Sequence, residues 1–97
     1  TGHCWLGGGD PLAFVETFGP RIRHVHWKDL GPEWLPRRGT VHGCGMGTIP
    51  LGTGVVGIEA VARALVARGF AGPTTLEVAG EEALRASISA LELWRTR

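Results

Sequence analysis

The sequence predicts a parallel α/β fold. Three observations carry that prediction. Segments of helical period alternate with two short strand-like runs. The segment between the two runs is long enough, and helical enough, to be the crossover that parallel strands require. Glycine is abundant, 16 of 97 residues, without a three-residue period; it clusters in LGGGDP, VHGCGMGT and LGTGVVG, between the patterned segments.

The first patterned segment is DPLAFVETFGP. Asp10 stands where an N-cap belongs and Pro11 at the first helical position. Leu12, Val15 and Phe18 follow at helical spacing, Phe14 widens the stripe, and Gly19 and Pro20 stop it. The expected helix spans 11–18. Residues 21–28, RIRHVHWK, read as a strand. Ile22, His24, His26 and Lys28 fall on one face, and Arg23, Val25 and Trp27 on the other. Residues 29–54 have no sustained period and predict a loop far longer than an ordinary connection, hence functional or disordered.

A helix is expected over 57–68, where Ile58, Val61, Ala62, Leu65 and Val66 form one stripe and Gly69 ends it. Residues 73–78 predict a second strand, with Thr75 and Glu77 on one face and Thr74, Leu76 and Val78 on the other. The last helix, 81–95, carries the stripe Leu84, Ile88, Leu91 and Trp94. Glu81 and Glu82 in its first turn and Arg95 and Arg97 near its end suit the helix dipole. Parallel strands want cover on both faces, and two strands cannot supply a sheet alone. The chain is therefore expected to be the end of something larger, or a small α/β domain completed by a partner chain.

Composition excludes several roles. A net charge of +1 gives no argument for nucleic acid or an anionic membrane surface. No apolar run approaches the roughly 20 residues of a membrane helix, and no targeting segment opens the chain. These features predict a cytoplasmic protein. Cys4 and Cys44, with His3 and His42 near them in sequence, leave a disulfide, a metal site and free thiols open. Free thiols are favoured, because the spacing is that of neither a zinc finger nor a ribbon. The triple glycine before Asp10 lacks the preceding strand of a dinucleotide or P-loop motif. LGTGVVG is expected to fold over the mouth of a site instead.

His24, His26 and Lys28 pose the functional question. Three polar groups on a helix-covered sheet face would be costly to bury unpaired. In a closed barrel the same face points into the interior, which is wet near the C-terminal mouth. Glu77 lies at the end of the next strand, after one crossover, so His26 and Glu77 should meet at one rim. An imidazole and a carboxylate there suit a divalent ion. His24, one step deeper, reads as a packing or supporting histidine, and Lys28 either binds an oxygen of substrate or pairs with Asp29.

The run TGH…GGDP…FGPRIRHVHWKDL…PLGTGVVGIEAVARALVARGFAGPTTLE resembles the last third of sugar phosphate isomerases and epimerases of the xylose isomerase-like TIM barrel superfamily. The resemblance implies a C-terminal fragment of a (β/α)8 TIM barrel, from the end of strand six to helix eight, with residues 1–97 as one partial domain. It implies His26 and Glu77 as metal ligands, Glu77 also as the catalytic proton carrier, and His3 as a substrate-binding side chain. Lys28 and Trp5 are further substrate-binding candidates. The implied cofactor is a divalent ion, Mn²⁺ first, with Mg²⁺, Co²⁺ and Zn²⁺ in the family's range. The implied partner is a small sugar or polyol-derived ketone. The implied reaction is isomerisation or epimerisation of an open-chain keto sugar through an enediolate.

An inosose-type dehydratase is the alternative, with Lys28 assisting the leaving oxygen, and a non-catalytic remnant is another. The DNA-repair endonucleases of the superfamily need further His and Asp ligands that residues 29–54 do not offer. The family's strand-five glutamate and strand-six aspartate are outside this sequence, so the 97 residues alone are expected to be inactive. Trp34 and Met46 in the long loop could form a homodimer contact.

Overall fold

The computed structural model describes residues 1–40 and 47–95. Expectations for His42, Cys44, Met46 and Arg97 fall outside the described residues. Among the described residues, four α-helices and two strands follow in the order α1 (Gly2–Leu6), α2 (Pro11–Phe18), β1 (Val25–Trp27), α3 (Ile58–Ala67), β2 (Thr74–Leu76) and α4 (Glu81–Arg95). β1 and β2 pair in parallel, as the alternation predicted. Tight 3₁₀ turns occupy Gly19–Arg21 and Pro32–Arg37.

No helix is predicted before residue 11. α1 forms there because Trp5 and Leu6 both bury their side chains, which outweighs the poor helix propensity of the neighbouring glycines. It is held from outside as well: Arg38 lies over the Trp5 ring at 5.0 Å, and its guanidinium donates to the carbonyls of Trp5 and Gly9. α2 begins as expected. The Asp10 carboxylate accepts the Leu12 N–H at 3.0 Å, which satisfies one of the amides left over at a helix start. Its apolar stripe is only partly covered. Val15 is buried, whereas Phe14 and Phe18 stay exposed and pack on each other at 4.8 Å.

β1 is shorter than the predicted 21–28, because residues 19–21 turn and β2 supplies only three partners. The register aligns Val25 with Thr74, His26 with Thr75 and Trp27 with Leu76. Val25 receives the Pro73 carbonyl on its N–H, and Trp27 offers its carbonyl to the Glu77 N–H. Both therefore turn their backbone groups towards β2, and His26 turns its own the other way. There its carbonyl accepts from the Thr1 amino nitrogen at 2.8 Å.

α3 matches its prediction, with Ile58, Val61, Ala62 and Leu65 buried against Val25, Trp27 and the other helices. Gly57 at φ +84° opens it. Gly69, at φ +78°, reverses the chain after it, where a side chain would be strained.

In α4 the expected stripe is rotated. Ile88 is exposed, whereas Ser87 and Trp94 are buried, Ser87 fully. The reason is a hydrogen bond. Ser87 Oγ accepts the Leu51 N–H at 3.0 Å and donates to the Ala83 carbonyl at 2.8 Å. Ser87→Ala removes the only acceptor of that buried amide among the described contacts. It should lower stability by about 1–3 kcal/mol, read as the shift in urea midpoint at unchanged slope.

The described parts of the long connection are held in place. Asp29 and Ile49 form an antiparallel bridge, and Leu30, Leu51 and Val56 enter the core. Trp34 is half-buried, with Arg37 over its ring at 5.2 Å. Cys4 carries a free thiol. No helix among the described residues is long and apolar enough to cross a membrane.

Candidate functional site

Side chains alternate along extended chain, so His26 in β1 and His24 just before it point to one side, as do Thr75 in β2 and Glu77 just after it. In the observed register each histidine reaches diagonally to the residue two beyond its neighbour's position. His26 Nδ1 lies 3.2 Å from Glu77 Oε1. His24 Nε2 lies 2.8 Å from Thr75 Oγ1. The two imidazoles are 4.9 Å apart, centre to centre, inclined at 49°. The result is a two-rung ladder of polar contacts on one face of the parallel pair.

The opposite face explains why the ladder forms. Val25 and Trp27 are drawn into the core, and Leu76 packs against it, so the alternate residues must point away. The His26 and Glu77 side chains are 57% and 33% exposed, open enough to meet a small molecule. An exposed pair of this kind contributes little to stability, so its presence calls for another account. The Glu77 backbone is fixed by its bond to Trp27, and the next turn by the Ala79 N–H, which Thr48 Oγ1 accepts at 3.1 Å.

Of the predicted site residues, the structure brings His26 and Glu77 together. His3 lies exposed on α1. Trp5 and Lys28 lie inside, each 5% exposed. The Lys28 stem fills the space that a Cβ on Gly2 would enter, which is why α1 can lie so close to β1. Thr1 Oγ1 meets both the N–H and the carbonyl of Lys28 at 2.9 Å.

The sequence predicts for Asp29 only an ion pair with Lys28. Its carboxylate is in fact fully buried and accepts four backbone N–H groups. Three of the four donors lie more than twenty residues along the chain, so no local pattern in the sequence marks it. LGTGVVG accordingly lies wrapped around Asp29 with Leu51 and Val56 in the core.

The residues can be tested against a metal. Two donors bound about 2.1 Å from one ion at a right angle stand about 3.0 Å apart. His26 Nδ1 and Glu77 Oε1 are close to that separation, which also suits the hydrogen bond they make with each other. Among the described residues no group of three or more His, Cys, Asp or Glu side chains converges on one point. These two donors therefore form part of a ligand set at most.

The sequence profile of the xylose isomerase-like TIM barrel family matches residues 1–95. The chain belongs to that family. Two curated family relatives are inosose dehydratases, one from Lacticaseibacillus casei and one from its strain BL23. Each is 30% identical over 79 residues, covering 74% of this chain and 26% of the relative. The chain thus spans about a quarter of the length of the curated relatives it matches. No solved structure gives a significant match.

Proposed function

We propose that the chain forms the C-terminal part of a (β/α)8 barrel, from the end of strand six to helix eight. In the complete barrel it would serve a metal-dependent isomerase or epimerase of open-chain keto sugars. The observation that carries this reading is the 3.2 Å approach of His26 Nδ1 to Glu77 Oε1 at neighbouring ends of parallel strands, in a chain of the xylose isomerase-like family. Family barrels use that end of the strands for chemistry.

His26 and Glu77 would hold a divalent ion, Mn²⁺ in the first instance, together with ligands from elsewhere in the barrel. Such an ion, when bound, polarises a substrate carbonyl and offsets negative charge on the enediolate oxygens. The Glu77 carboxylate would exchange a proton at carbon from one side of the substrate, and the family's strand-five glutamate, outside this sequence, would serve on the other. His26 would present one ring nitrogen as a ligand. His3, exposed on α1, would orient a substrate hydroxyl. Trp5 and Lys28, buried beneath that segment, would support it.

A second reading is dehydration of an inosose-like ketone, the activity named for the curated relatives, which at 30% identity over a quarter of their length leave it open without favouring it. The first proton abstraction is the same, and the hydroxyl on the next carbon then leaves. The product decides between them. An isomeric sugar supports the first reading, and an unsaturated or deoxy diketone absorbing in the near ultraviolet supports the second.

Calorimetric titration with Mn²⁺ tests the site itself. His26→Ala should weaken binding by at least tenfold in the complete barrel with the fold retained, because His26 projects from the core. His24→Ala should keep most of the affinity. Protons compete for an imidazole ligand, so wild-type affinity should fall as the solution is acidified. Tight Mn²⁺ binding by His26→Ala would refute the ligand assignment.

A further inference from the structure

We propose that Asp29 is a positioning residue for Glu77, acting through residues 48–56. The inference rests on the site reading above and adds a residue to it. The Asp29 carboxylate is fully buried. Its Oδ1 accepts the N–H of Leu30 at 2.9 Å and of Val56 at 3.2 Å. Its Oδ2 accepts the N–H of Gly52 at 2.9 Å and of Gly54 at 3.0 Å. Three of those four donors belong to a segment more than twenty residues away in sequence. The carboxylate is thus the post around which that segment is wound.

The same segment reaches the second strand. Asp29 bridges Ile49 through its backbone. One residue earlier, Thr48 Oγ1 accepts the Ala79 N–H at 3.1 Å. Two residues before Ala79, the Glu77 N–H returns to the Trp27 carbonyl at 2.9 Å. The links close a ring that runs from Trp27 through Asp29, Ile49, Thr48, Ala79 and Glu77 back to Trp27. Glu77 lies on this ring, and His26 lies one residue outside it. An apolar residue at 29 could fill the space but could accept none of the four amides. The carboxylate therefore fixes the exit of β2 relative to the exit of β1, and with it the separation of the two proposed donors.

The test compares Asp29→Asn, Thr48→Val and Val15→Ala in the full-length protein. Val15 is a core residue of α2 outside this ring and serves as a comparison that loses core packing elsewhere. Amide hydrogen exchange is measured without metal, and Mn²⁺ affinity by calorimetry. The side-chain amide of Asn places a donor where two backbone amides need an acceptor. Asp29→Asn should raise exchange at least tenfold in both 51–56 and 77–79, and weaken Mn²⁺ binding about tenfold. Thr48→Val should raise exchange at 77–79 alone, which keeps the inference testable if Asp29→Asn does not fold. Val15→Ala should lower thermal stability while leaving Mn²⁺ affinity and the 77–79 pattern unchanged. Unchanged exchange at 77–79 in the Asp29 or Thr48 variant overturns the inference, as does loosening of 77–79 with wild-type Mn²⁺ affinity. If wild type itself binds no Mn²⁺ while 77–79 still loosens on substitution, the metal reading fails and the positioning of Glu77 by Asp29 stands.

Discussion

Gly54→Ala should destabilise the protein by about 3 kcal/mol or more, the range of severe overpacking. A Cβ at Gly54 would strike the Leu30 carbonyl, which is backbone and cannot swing aside. It would also come within 2.6 Å of Asp29 Oδ1 and 2.7 Å of Ile49 Cδ1. Relief requires the segment to lift off the buried carboxylate, and lifting gives up the Gly52, Gly54 and Val56 amide bonds together. The neighbouring Gly52 adds a useful comparison. It combines φ +88° with a Trp94 ring 2.6 Å from the position of its Cβ, so alanine there is opposed by both backbone strain and packing. Denaturant melts of the two variants check the expectation. A Gly54→Ala protein within 1 kcal/mol of wild type, roughly the ordinary cost of a tolerated core change, would mean that the segment has slack which the close packing does not suggest.

Glu77→Gln should lower the rate of α-proton exchange with solvent deuterium by about 10³-fold, within the usual range for losing a positioned general base. The amide keeps the size of the side chain and can still accept from His26, so the ladder of polar contacts on β1 and β2 can persist. It cannot take up a proton from carbon at neutral pH. The measurement is loss of the substrate proton signal in deuterated water by NMR, with a ketohexose and an inosose as probes in the complete barrel. Circular dichroism of the same sample shows whether the fold is intact. Exchange at the wild-type rate in a folded Glu77→Gln protein would remove Glu77 from the chemistry.

Much of the site was legible because it depends on local pattern and one topological rule. The period-two faces of RIRHVHWK and TTLEV, with a crossover between them, place His26 and Glu77 at adjacent strand ends, and they do meet. The caps and stripes of α2 and α3 were readable for the same reason: Asp10, Pro11 and the Ile58-to-Leu65 spacing are local signals. What escaped notice depends on distant partners. Nothing near Asp29 in sequence announces that its acceptors will be used by Gly52, Gly54 and Val56. The inward turn of Ser87 in place of Ile88 follows from the needs of Leu51, on another element. The short α1 is held by burial of Trp5 and Leu6 and by Arg38, against the local preference of a glycine-rich segment.

The diagonal reach from His26 to Glu77 spans 51 positions of chain, and this separation has a kinetic meaning. Bringing such distant residues together costs about 2 kcal/mol more loop-closure entropy than closing a turn a tenth as long. Contacts of that kind tend to slow folding, because the entropy is lost before the contact repays it. The helix between them, α3, can form early from local contacts, but β1 and β2 cannot pair with each other until the intervening segment has folded back. No half-folded chain therefore presents the imidazole beside the carboxylate. For this protein, the time at which the proposed chemistry first becomes available after synthesis is the time at which the last long-range pairing closes.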